Sequence, residues 1–158
     1  MYLSYHSRFT RQLARKKKDL PLLEGITITG LAGEGKALTH IDGKVLFVPF
    51  AAPGDVCDIQ ITKKKSSFME GKIARIVTPS PERTQPICSH FTICGGCKWQ
   101  HLPYFLQLQS KDQVVRDALQ RIGKIKVGEY LPILGSAETE RYRNKLEFTF
   151  SHPALSCQ

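Results

Sequence analysis

Acidic residues are scarce in this chain of 158 residues: 14 aspartates and glutamates stand against 23 lysines and arginines, and the formal net charge is +9. A positive surplus of this size favours a polyanionic partner. Nucleic acid suits it better than a membrane surface, because no basic amphipathic helix with a bulky apolar face stands out. No apolar run approaches the length of a membrane span either. We therefore expect a nucleic-acid partner and no membrane partner, and no protein partner is evident.

Cysteine is also scarce, with five residues: Cys57, Cys88, Cys94, Cys97 and Cys157. An odd number with a clustered distribution argues against a secreted disulfide framework, and no signal peptide precedes them. Residues 1–18 are basic and lack acidic residues, which superficially suits a transit peptide. The basic run at residues 15–18 is more simply interpreted as a solvated arm that can touch phosphate. We expect a cytoplasmic protein.

Three of these cysteines, Cys88, Cys94 and Cys97, lie within ten residues of one another. Closely spaced thiolates are the usual ligands of iron–sulfur clusters and of structural zinc. Gly95 and Gly96 have no Cβ, so the backbone can fold back and let two thiolates share one metal. The spacing therefore predicts a metal or cluster site.

The spacing alone leaves iron–sulfur and zinc open, since His90 or His101 could complete a zinc site with three cysteines. Haem attachment is excluded because Lys98 follows Cys97, where that motif requires histidine. We interpret His101 as a residue that packs beside the loop rather than as a ligand.

Ahead of the cysteines, residues 22–77 read as short strands separated by turns. Ile26 and Ile28 alternate with threonines, and Asp42-Gly43 is typical of a hairpin turn. The alternation from residue 56 to 62 places Cys57 on the apolar face, which predicts a core cysteine. Several short strands at this spacing predict a small β-barrel of the OB type.

Behind the barrel the pattern changes. Three prolines in residues 78–86 sustain neither a ladder nor a helix, and they predict a domain boundary. Residues 103–122 have mostly helical periodicity with Gly123 as C-cap, and residues 131–134 and 146–150 read as strands. The predicted division is a basic arm (1–19), an OB-like barrel (20–78), a linker (79–87), a cysteine-rich loop (88–102) and the start of an α+β domain (103–158).

Two sets of motifs resemble known families. The strings Gly33-Glu34-Gly35, Asp42-Gly43-Lys44, Phe47-Val48-Pro49 and Pro53-Gly54-Asp55 resemble the TRAM domain, an RNA-binding OB-like barrel. The C-x5-C-G-G-C-x-x-Q-H string of residues 88–101 and the Y-R-N-K-L-E-F string of residues 142–148 resemble the RNA uracil-5-methyltransferase family, of the type acting on 23S ribosomal RNA. The resemblance extends from about residue 15 to residue 151.

The resemblance implies a TRAM barrel, a [4Fe-4S] loop, a central RNA-binding domain and a C-terminal S-adenosylmethionine-binding domain. It makes Cys88, Cys94 and Cys97 three of four cluster ligands and favours [4Fe-4S] over zinc. The family's fourth ligand lies further downstream. Cys157 is the cysteine available there, but its setting does not follow the family pattern.

The family's reaction, by implication, begins with a cysteine thiolate attacking C6 of uracil, after which C5 takes the methyl group and loses its proton. No segment here matches those residues or the glycine-rich turn that holds the methyl donor, so no catalytic residue is assigned. We expect an N-terminal portion of such an enzyme, inactive by itself and directed at ribosomal RNA more than transfer RNA. The alternatives are a stand-alone RNA-binding module with a structural cluster or zinc, and a zinc-ribbon-like interaction protein.

Candidate RNA-binding residues come from two basic stretches. Lys63, Lys64 and Lys65 follow a predicted strand near Phe68, and lysine next to an aromatic ring suits phosphate contact and base stacking. The second stretch alternates along a predicted strand, which would direct its basic side chains to one side; it comprises Arg141, Arg143 and Lys145.

Overall fold

The computed structural model describes residues 20–93 and 95–141. Six strands come first: β1 (Leu22–Thr27), β2 (Gly30–Leu31), β3 (Lys36–Ile41), β4 (Lys44–Pro49), β5 (Val56–Lys64) and β6 (Phe68–Thr78). A 3-10 turn at Gly33–Gly35 separates β2 from β3. Helix α1 spans Tyr104–Asp117 and continues as a π-helical turn at Ala118–Ile122.

The strands form one curled sheet in the order β1-β5-β6-β4-β3-β2. Its pairings are antiparallel except for β4 with β6, which run parallel. The outer strands β1 and β2 are consecutive in the chain, separated by Ile28 and Thr29, so one chain run pairs with β5 and then with β3. This curled half-barrel confirms the predicted OB-like β fold.

The concave side of the sheet holds the core. Leu46, Val48 and Ile59 are fully buried there, and alternate residues of each strand point the other way. Cys57 is also fully buried in this cluster, which confirms its predicted core position. Asp42 and Gly43 have φ of 50° and 73° and connect β3 to β4, so the predicted hairpin turn is confirmed as well.

The helical prediction for residues 103–122 is confirmed by α1 and its π-helical turn. Gly123 occupies the C-cap, and its N–H donates to the carbonyl of Ala118 at 2.8 Å. Its φ of −71° is right-handed, however, and Lys124 takes the left-handed conformation with φ of 51°. None of the described helices is both long and apolar enough to span a membrane.

The prediction of a strand at residues 131–134 is wrong. This stretch is irregular, and the Leu134 side chain is 95% exposed. A strand needs a neighbour for its backbone groups, and no strand in the described ranges lies alongside. The other predicted strand, residues 146–150, lies outside the described residues.

Candidate functional site

The cysteine-rich loop follows the barrel as a series of turns. Cys88, which begins it, and Cys97, which lies within it, are partly buried and take part in no disulfide. The N–H of Phe91 donates to the Cys88 carbonyl at 3.0 Å, and Thr92 and Gly95 have φ of 72° and 70°. Thr92 and Gly95 thus take left-handed turn conformations on either side of Cys94. The prediction that the glycines let Cys94 and Cys97 share a metal stays a prediction, because Cys94 lies outside the described residues.

The two ends of the loop are tied together by Gln100. Its side-chain Oε1 accepts a hydrogen bond from the Cys88 N–H at 3.1 Å. Its carbonyl accepts one from the Thr84 hydroxyl at 3.3 Å. The glutamine of the C-x-x-Q-H string therefore holds the start of the loop beside its end, with Cys88 near the segment that carries Cys97.

The histidine of the same string anchors the loop to the barrel. His101 is 2% exposed, and its Nε2–H donates to the carbonyl of Ala51 at 3.1 Å. Its ring lies 5.5 Å from that of Phe91, which in turn packs edge-to-face on Phe50 at 5.6 Å. Burial lowers the pKa of His101, so the ring is held neutral.

These contacts match the interpretation of His101 as a packing residue. Its Nε2 is committed to Ala51, and its Nδ1 is buried without a hydrogen-bond partner among the described residues. The other candidate zinc ligand, His90, is exposed, with the hydroxyl of Ser89 at 3.3 Å from its Nδ1. The structure thus commits one nitrogen of His101 away from the cysteines.

The second anchor is a close contact at Gly35, where a side chain would not fit. Gly35 is buried with φ of 77°, and a Cβ built there would lie 2.6 Å from Cβ of Lys98 and 2.8 Å from Nε1 of Trp99. Only glycine permits such an approach. The Gly33–Gly35 turn of the barrel therefore packs directly against the residues that follow Cys97.

The third anchor is an ion pair between the barrel and the segment before the loop. Asp55 is fully buried and accepts hydrogen bonds from Arg83 Nε at 2.8 Å and Nη2 at 2.7 Å, and from the N–H groups of Ala52 and Ser80 at 2.6 and 2.8 Å. Burial raises the pKa of Asp55, but these hydrogen bonds, led by Arg83, outweigh it and hold the pKa below its ordinary value.

The cysteine thiols are the donors that a cluster would use. Cys88 and Cys97 offer thiols that take part in no disulfide, which suits thiolate ligation. A cleft of about 930 Å³ opens beside Cys97, bounded by the Gly33–Gly35 turn and α1. The described ranges contain no group of three metal-binding side chains, and Cys94, which would complete the trio, lies outside them. The thiol chemistry of Cys88 and Cys97 is compatible with cluster ligation, and the assignment of the three ligands stays a prediction.

The predicted RNA-binding lysines are separated from the cysteine loop. Lys63 and Lys64 end β5, Lys65 begins the connection to β6, and all three are exposed. Arg141 is exposed at the end of the described residues, whereas Arg143 and Lys145 lie outside them. The structure therefore shows one basic cluster on the barrel, and the row of three basic residues stays a prediction.

Sequence reasoning missed the residues that join the loop to the barrel. Asp55 belongs to the Pro53-Gly54-Asp55 turn motif, and Arg83 lies in the proline-rich linker. The two residues are 28 positions apart in the chain, so no local periodicity indicates that they pair. The positive φ of Gly35 is a property that its turn motif suggested, but its neighbours Lys98 and Trp99 were not foreseeable.

Comparison with known proteins defines the class of the barrel. Residues 25–74 match the family model of the TRAM domain. This range covers the strands of the curled sheet from within β1 to within β6, so both fold and family model identify the same unit. Residues 25–74 of the chain are thus similar to the TRAM domain in both sequence and fold.

The relatives extend beyond the barrel. The chain is 63% identical over 125 residues to an uncharacterized RNA methyltransferase of Porphyromonas gingivalis, covering 79% of this chain and 27% of the relative. It is 38% identical over 137 residues to the 23S rRNA (uracil(1939)-C(5))-methyltransferase RlmD of Francisella tularensis subsp. novicida, covering 84% of this chain and 30% of the relative. The resemblance to RNA methyltransferases is confirmed, and the chain spans less than a third of these relatives' length.

A solved structure also matches, that of the Pyrococcus abyssi tRNA (uracil-54, C5)-methyltransferase in complex with S-adenosyl-L-homocysteine. It is 28% identical and covers 67% of this chain and 23% of its own chain, with a TM-score of 0.37.

Proposed function

We propose that this chain is the RNA-binding, cluster-bearing part of an S-adenosylmethionine-dependent RNA uracil-C5 methyltransferase that acts on ribosomal RNA. The observation that carries the proposal is the 38% identity over 137 residues to a 23S rRNA uracil-C5 methyltransferase, a range longer than the TRAM domain itself. The more similar relative is named an RNA methyltransferase without a stated target.

In this proposal the barrel binds RNA through its exposed lysines, and Cys88, Cys94 and Cys97 hold a [4Fe-4S] cluster. When bound, the cluster supplies a cross-link of the loop through iron–thiolate bonds. The three anchors described above, at His101, Gly35 and Arg83, keep the loop in one place on the barrel. An RNA bound to the barrel would therefore have a fixed position relative to the cysteine loop.

The cluster is tested by metal analysis of anaerobically purified protein. We expect brown protein with iron, labile sulfide and a broad absorbance typical of iron–sulfur thiolates. Cys94→Ser should abolish the colour, whereas Cys57→Ala should keep it, because Cys57 lies in the barrel core. Zinc without iron or sulfide would contradict the cluster and favour the zinc alternative.

RNA binding is tested with the same chain and fragments of ribosomal and transfer RNA. Because phosphate contacts release counterions, affinity should fall steeply as salt rises. A preference for the ribosomal fragment supports the proposed target. Failure to bind either RNA at low salt would contradict an RNA-binding role.

A further inference from the structure

The outer face of the sheet carries two adjacent phenylalanines that the core does not use. Phe47 lies between the buried Leu46 and Val48 on β4, so its side chain points away from the core. Phe68 begins β6, and its ring centroid lies 6.1 Å from that of Phe47 at an interplanar angle of 65°. We call these two partly buried rings the aromatic patch.

Lysines lie at one edge of the aromatic patch. Lys63 Nζ lies 5.7 Å from the Phe68 ring centroid, within range of a cation–π contact. Lys44 Nζ donates to the Lys65 carbonyl at 3.5 Å, which brings the β3–β4 hairpin close to the β5–β6 connection. Lys64 is also exposed, but it pairs with the buried Met69 and therefore lies on the other face of the sheet.

Acidic groups near the patch are fewer. Glu70 lies opposite Phe47 on β6, and its carboxylate is 3.7 Å from Lys63 Nζ. Asp42 lies in the β3–β4 turn. Two carboxylates therefore stand against three lysines at this edge of the barrel, namely Lys44, Lys63 and Lys65. The surface is complementary to a polyanion that also has flat apolar faces.

The position of the aromatic patch in the fold also favours nucleic-acid binding. OB barrels bind oligonucleotides across their second and third strands, between the first–second and fourth–fifth loops. With β1 and β2 counted as one bent strand, the second and third strands here are β3 and β4, and the fourth–fifth loop is the β5–β6 connection. Phe47 lies on the third strand, and Phe68 follows that loop.

We propose that Phe47 and Phe68 form a stacking site for an unpaired RNA base, with the lysines at its edge contacting the flanking phosphates. This inference rests on the proposed RNA-binding function and specifies that the barrel takes a single strand. The bases of a duplex are stacked on one another, so they offer no free face to the rings. Aromatic rings stack on any base, so the site selects single-stranded RNA over duplex RNA without selecting a sequence.

The test uses the full chain, a short single-stranded RNA and a duplex of equal length at about 50 mM salt. Phe68→Leu keeps an apolar side chain but removes the aromatic face. We expect it to weaken single-strand binding by about fivefold or more, and to leave duplex binding unchanged. Phe105→Leu is the matched control, because Phe105 is a 53% exposed phenylalanine on α1, and it should bind like wild type.

Photocrosslinking of wild-type protein to a single strand containing 5-iodouridine gives a readout that does not depend on the variant folding. An adduct on the peptide of Phe68 or Phe47 supports the site. Crosslinks elsewhere, with Phe68→Leu and Phe47→Leu both binding like wild type, would overturn it while leaving RNA binding intact. No binding of any RNA by the wild-type chain would overturn the proposed function together with this inference.

Discussion

Asp55 and Arg83 form a bidentate ion pair in which the carboxylate is fully buried and the guanidinium is 21% exposed. The same guanidinium donates through Nη2 to the carbonyl of Phe50 at 2.9 Å. The aspartate belongs to the turn before β5 and the arginine to the proline-rich segment, so the pair fastens that segment to the barrel. The cysteine-rich loop begins five residues after Arg83, at Cys88.

Arg83→Met should destabilise the fold by about 3 kcal/mol, because it leaves the buried Asp55 carboxylate without its charge partner. Arg75→Met is the matched control. Arg75 pairs with Asp58 at 2.9 Å but is 72% exposed, so its loss should be much smaller. Urea unfolding of the three proteins measures the difference. Equal losses for both variants would contradict the importance assigned to the buried pair.

Stability should decrease toward acid pH in two steps. The pKa of His101 is lowered from 6.5 by burial, so the unfolded chain binds more protons than the folded one below pH 6.5, and stability falls there. The pKa of Asp55 lies below 3.8 despite burial, since Arg83 and two N–H groups stabilise the carboxylate, so its contribution is present above pH 3.8 and is lost as the pH falls through the folded value.

The first step can be assigned by replacing His101 with glutamine, which can still donate to the Ala51 carbonyl. The free energy of unfolding of this variant should depend less on pH between about 7 and 5 than that of the wild type. His40→Gln, at an exposed position on β3, should keep the wild-type dependence. Identical pH profiles for wild type and His101→Gln would show that another group is responsible.

Gly35→Ala should dislodge the cysteine-rich loop, because the new methyl group would clash with Cβ of Lys98 and the indole of Trp99. Gly43→Ala is the control, because it measures the loss of stability from the left-handed backbone alone. Gly43 has a similar φ of 73° but open space around its Cα, so it should lose only about 1 kcal/mol. Iron retention and proteolysis within the loop should change for Gly35→Ala alone. Matching behaviour of the two variants would mean that the barrel turn does not hold the loop.

The polypeptide of 158 residues should not methylate RNA by itself. Cys57 is buried in the core, and burial raises the pKa of its thiol to about 11, which makes it a poor nucleophile at neutral pH. In the proposed function Cys88, Cys94 and Cys97 hold the cluster, and Cys157 lies outside the described residues. Incubation with ribosomal RNA and radiolabelled S-adenosylmethionine measures the outcome. Label at C5 of a uridine, above a control without protein, would show that the chain holds a catalytic cysteine we have not identified.

Much of the fold was predictable from local patterns. Alternating apolar residues along β5 placed Cys57 in the core, and Asp42-Gly43 specified the hairpin between β3 and β4, because side-chain direction and backbone φ are local properties. The strand predicted at residues 131–134 does not form, because strand formation is not a local property. A strand forms only with a neighbour, and its composition alone does not supply one.

For the candidate site, the sequence by itself determined the cysteine spacing, the glycines that let the loop curl and the basic run beside Phe68. The tertiary structure decided that Gln100 closes the loop on Cys88, that His101 reaches Ala51, that Gly35 meets Lys98, and that Phe47 lies against Phe68. Each of these contacts joins residues more than ten positions apart, so no local pattern indicates them. The contacts of His101, Gly35 and Phe47 also require the sheet to curl and bring its turns together.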